Sequence, residues 1–117
     1  MTIRGAPLLL LALLSGDASA VDLSGQSTAT PLLKSDILKA LLPMASAIAH
    51  CDAIDSVQMS VETIPNDVKT NAKGVITSGS PNVERWVATG CGKSVAFKVT
   101  LTPDGVGGEF YSISTIK

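Results

Sequence analysis

Aromatic side chains are scarce in this chain of 117 residues: Trp86, Phe97, Phe110 and Tyr111 are all it has. A core must therefore be assembled from Val, Ile, Leu and Met, and a covalent staple would matter to it. There is one histidine, His50, and there are two cysteines, Cys51 and Cys91. With a single imidazole and no C-x-x-C or H-x-x-x-H spacing, the usual zinc signatures are missing. The low-pKa dithiol of redox proteins is missing too. Lys and Arg never cluster, Lys69 and Lys73 being the nearest approach, and the formal net charge is −1. That is no footprint for nucleic acid or for an anionic lipid surface, because neutralising phosphates needs grouped cations.

What is present begins with an address. Arg4 supplies a positive start, Ala6 to Leu14 an apolar stretch with six leucines, and Ala18-Ser19-Ala20 a small-residue cleavage site. The stretch is too short to span a bilayer, and no further apolar run of about eighteen residues follows. These residues read as a signal peptide cut after Ala20, with a periplasmic or secreted product and no membrane anchor. Cleavage would leave about 97 of the 117 residues, one domain in size. In an exported domain two cysteines read as a disulfide, Cys51 to Cys91. Closing a loop of that length would contribute about 4 kcal/mol in the chain-entropy model.

Val21 to Thr30 is polar and reads as a flexible N-terminal arm. Thr30-Pro31 is a helix start, an N-cap followed by proline at the first helical position. On a helix from Leu32 to Cys51, Ser35, Lys39, Ser46 and His50 fall within about 60° of one another as a wet stripe. Leu33, Ile37, Ala40, Met44, Ile48 and Cys51 gather opposite. Pro43 implies either a bend or a second helix starting there. Val57, Met59 and Val61 alternate with polar neighbours as a half-buried strand. Residues 65–81 read as a long loop with one weak strand near Val75-Ile76. Val83–Thr89, Ser94–Leu101 and Glu109–Ile116 complete the strands, with turns at Gly90–Lys93 and Pro103–Gly108. The expected fold is α+β: one helix packed on a four-stranded antiparallel meander, spanning residues 31–117 as a single domain. Trp86 lies either on the sheet's outer face or, if the Cys91 turn reorients its cysteine, in the core; the second fits the usual burial of tryptophan.

The chemistry-bearing residues do not assemble into a catalytic pattern. Gly92-Lys93-Ser94 suggests a phosphate loop, but that motif needs glycine where Val87 stands and a helix where a strand is expected. His50, Cys51 and Asp52 are neighbours in sequence and diverge by 100° per residue on a helix. Glu62, Glu84 and Glu109 lie on or beside strands, where isolated carboxylates are usually solvated. No cofactor and no metal are expected. Trp86, Arg85 and Tyr111 remain as candidate partner-binding residues, since aromatics beside arginine are what binding patches use.

Glu84-Arg85-Trp86, then four residues, then Cys91-Gly92-Lys93, with Phe97, Val99, Gly107-Gly108 and Phe110 beyond, resemble the C-terminal half of a loose group of small exported bacterial proteins. The resemblance implies export, the disulfide and a helix-plus-sheet layout, and it carries no functional residue. The reading is a small exported non-catalytic protein, a binding or inhibitor-type module whose partner is another envelope or secreted protein. The alternative is a small periplasmic hydrolase or redox protein, which predicts a cleft with at least two convergent polar groups of shifted pKa.

Overall fold

A computed structural model describes residues 21–116; the leader segment expected at residues 1–20 lies outside them. The elements run β1 (Asp22–Gly25), α1 (Pro31–Ala49), β2 (Ser56–Thr63), β3 (Lys69–Thr70), β4 (Ile76–Ser78), β5 (Asn82–Gly90), β6 (Lys93–Pro103) and β7 (Glu109–Thr115).

Helix α1 starts where the sequence placed it. Thr30 caps it, its hydroxyl accepting from the Leu33 amide at 3.0 Å, and Pro31 occupies the first turn, where no amide is needed. It ends at His50, whose left-handed φ of 51° turns the chain so that the following amide, Cys51 N–H, also donates to the Ser46 carbonyl at 3.0 Å. Histidine is among the few residue types enriched in that conformation. Between these ends the helix is single and runs through Pro43, which faces solvent. The buried line is Ile37, Leu41, Ala45 and Ala49. This is one i, i+4 ridge, rotated by roughly a quarter turn from the face read in the sequence, and it leaves Ile48 half exposed. Its C-terminal half presents the small Ala45 and Ala49 to the core.

Among the described residues the main sheet has five strands in the order β1-β2-β5-β6-β7, and β3 and β4 form a separate two-stranded sheet. The expected four-stranded antiparallel meander is therefore corrected. Strands β2, β5, β6 and β7 do pair antiparallel, but β1 joins β2 in parallel. The parallel pair requires a crossover, and α1 is that crossover. Residues expected as a flexible arm thus hold a strand at the end of the sheet. Asp22 donates to the Asp55 carbonyl at 2.9 Å, and Gln26 to that of Met59 at 3.0 Å. Four exposed residues carry no alternation signal, so only the partner strand makes them β. Gly25, at φ 86°, brings its backbone so close to Met59 that a Cβ there would collide with the Met59 carbonyl.

Register fixes which face is core. The row Met59–Trp86–Phe97 runs across three strands, flanked by Val57–Ala88–Val95 and Val61–Glu84–Val99–Ile113. Trp86, Phe97, Val99 and Leu101 are inaccessible beneath α1. The β3–β4 hairpin adds the buried Ile76 to the same cluster. It is shaped by Asn71, whose side chain accepts from the amides of Lys73 and Val75.

Candidate functional site

The disulfide joins Cys51, just past the end of α1, to Cys91 in the β5–β6 turn. Cys91 and Gly92 both have positive φ, 53° and 73°, the conformation of a type I′ hairpin turn. That turn swings Cys91 toward the helix although Trp86 and Ala88, not Val87, face it along β5. Lys93 donates to the Ala49 carbonyl at 2.9 Å, a cation on the last turn of the helix. Gly92-Lys93-Ser94 is thus a hairpin corner. A metal centre built on His50, Cys51, Cys91 and Asp52 loses its thiolates to the disulfide. Among the described residues no group of three or more His, Cys, Asp or Glu side chains is placed to hold a metal.

The three candidate binding residues do not form one patch. Trp86 is wholly buried on the helix side, and its indole donates to Glu84 Oε1 at 2.9 Å. Tyr111, paired with the buried Leu101, also lies on the helix side, at its margin. Arg85 alone points to the face that α1 leaves uncovered. The alternation of β5 separates Arg85 from Trp86, because adjacent strand residues face opposite ways.

Glu84 was expected to be solvated and is instead fully buried. Its Oε2 accepts from the Thr28 amide at 2.8 Å and the Thr28 hydroxyl at 2.7 Å, while Oε1 takes the indole N–H. Asn82 in turn donates to the Thr28 hydroxyl at 3.0 Å. A signal existed in the sequence: Glu84 shares strand parity with Trp86, so placing the tryptophan inside places the glutamate inside as well. Its partner Thr28 had no such signal.

A second carboxylate lies beside the helix N-terminus. Glu109 lines a cleft of about 340 Å³ with Leu33, Asp36 and Ile76. Neither of its oxygens has a hydrogen-bond partner among the described residues. Burial first, then the charges of Glu84 and Asp104, push its pKa up to about 7. The neighbouring turn is held by Asp104, whose Oδ1 accepts from Val106 and Gly108 at 2.8 Å each. On the exposed loop, Asp67 is held below the usual carboxylate range by hydrogen bonds from the Ser80 hydroxyl and amide.

The sheet face opposite α1 is not covered by any helix among the described residues. Its central row is Ser60–Arg85–Lys98–Ser114, with Gln58–Val87–Ala96 on one side and Thr63–Val83–Thr100–Ser112 on the other. Arg85 and Lys98 are direct cross-strand partners, and Glu62 sits at the β2 irregularity between Val61 and Thr63. Phe110, 65% exposed, continues the face along β7.

The chain matches no protein-family profile, no curated protein and no solved structure. Among the described residues no helix is long and apolar enough to cross a membrane.

Proposed function

We propose that this is an exported, non-catalytic binding module of the periplasm or medium, and that it docks an acidic protein surface on its open sheet face. The supporting observation is the Arg85–Lys98 pair. Like charges directly opposite on adjacent strands destabilise a sheet. A partner carboxylate would turn that cost into a favourable contact and speed encounter. Val83, Val87 and Phe110 would supply the apolar contact around it.

The hydrolase reading rests on the Glu109 cleft, in which Asp36 of α1 is the other lining carboxylate among the described residues. Glu109 has the raised pKa and the cleft, whereas both oxygens of Glu84 are already engaged by Thr28 and Trp86.

The test is capture of envelope or secreted proteins on the immobilised chain, compared with an Arg85→Glu, Lys98→Glu variant. The expected result is a salt-sensitive partner that the variant, equally stable, fails to retain. Equal capture by both chains would sink the docking face.

A further inference from the structure

On the other side of the sheet, between α1 and β1, the structure holds a trough with two chemically different ends. Its middle, about 480 Å³, is walled by Leu23, Pro31, Leu38 and Leu42, with Lys39 at the rim. That volume is within the range of small-molecule sites, roughly 300–1,000 Å³. Toward Gly25, Lys34 also lines an adjoining pocket of about 500 Å³. This compartment adds Lys73 from the β3–β4 hairpin and the polar segment Gly25–Thr28. No carboxylate lines either part. In the opposite direction, past Leu42, the trough continues to Val21 and Ile54 and meets Asp52.

We propose that this trough binds a single-chain carboxylic acid of the fatty-acid class, with its carboxylate between Lys34 and Lys73 and its chain along Leu23, Leu38 and Leu42. The charges set the direction. A carboxylate is attracted at the lysine end and repelled at the Asp52 end, so the head lies toward Gly25 and the tail toward Leu42. Burying methylenes against the four apolar residues supplies affinity, at about 0.8 kcal/mol per CH₂ transferred. A bilayer is the poorer occupant, because the chain's net charge is −1 and only Lys34, Lys39 and Lys73 line the trough, short of the roughly four to eight cations of an anionic-lipid site. The trough lies on the helix side of the sheet, so it is independent of the Arg85–Lys98 face.

The experiment is a titration of the purified, disulfide-bonded protein with monomeric dodecanoate, followed by NMR of backbone amides and methyl groups. The expected result is saturable one-to-one binding with shifts confined to Leu23, Leu38, Leu42 and the Gly25–Thr28 segment. Lys34→Gln should weaken it about tenfold, the loss of one charge-assisted contact, and the neutral methyl ester should bind comparably weakly. Leu23→Ser, at a half-exposed position, should weaken it without unfolding the domain. Arg85→Glu should leave it unchanged. The proposal is overturned by shifts that do not saturate, or by equal affinity for acid, ester and the Lys34 variant. Binding to anionic vesicles without binding to the monomeric acid would overturn it as well, in favour of membrane docking.

Discussion

Two glutamates on the helix side of one sheet meet opposite fates, and the difference is in their partners. Glu84 is inaccessible yet receives three donors, from the Thr28 amide, the Thr28 hydroxyl and the Trp86 indole, which replace the water it left. Glu109 is less deeply covered and receives none among the described residues. Its proton is therefore retained up to about pH 7 in the folded protein, against an ordinary value of 4.5. Between those values the folded state binds more protons than the unfolded chain, so stability falls as pH rises and is level above about 7. Because the side chain remains partly open to solvent, the loss is set at about 1 kcal/mol and not at the full linkage value. Urea unfolding at about pH 5 and about pH 8 should show this decline, and Glu109→Gln should remove most of it. An unchanged slope in the variant would mean that other groups dominate the titration.

At the scale of elements, the parallel strand β1 depends on its neighbour. Polar and exposed, it has no apolar face to hold it, so its ladder to β2 and the close approach at Gly25 must suffice. Gly25→Ala places a Cβ against the Met59 carbonyl in a left-handed conformation, and at least about 2 kcal/mol of destabilisation is expected. Hydrogen exchange should show lost protection at the amides of Asp22 and Gln26, with the β5–β6 pairing intact. Retained protection there would mean that the backbone yields easily. The same change should disturb the trough along β1, which ties local strand geometry to the ligand proposal. The helix is anchored differently, through its i, i+4 ridge, the disulfide and the Lys93 contact to its last turn.

For the whole molecule, the covalent tie and the export address make one joint prediction. Protein recovered after export should have the mass of Val21 to Lys117 less two hydrogens, unchanged by an alkylating agent until it is reduced. Reduction should then lower stability by about 4 kcal/mol, the chain-entropy value for a separation of 40 residues. A mass retaining the first twenty residues would overturn the address, and alkylation without reduction would overturn the disulfide in solution. The two proposed sites are separate in position: the trough lies between α1 and β1, and the Arg85–Lys98 pair lies on the opposite face of the sheet.

Local chemistry, present in the chain itself, determined the start of the helix at Thr30-Pro31, the alternation of β2 and β6, and the turn at Gly90–Lys93. The cysteine count determined the pairing, because only one pair exists. These depend on neighbours within a few residues, or on elimination. Tertiary structure alone decided the rest. Whether Trp86 faces in or out turned on a left-handed residue at Cys91, and Glu84 followed the tryptophan inward. The helix's buried line followed the ridge that fits the sheet, which carries the small Ala45 and Ala49, and not the centre of its hydrophobic residues. Strand β1 became a strand because β2 offered it a ladder, an interaction between segments some thirty residues apart that leaves no periodicity in β1 itself. The trough and the Arg85–Lys98 pair exist only once register has placed residues from separate strands side by side.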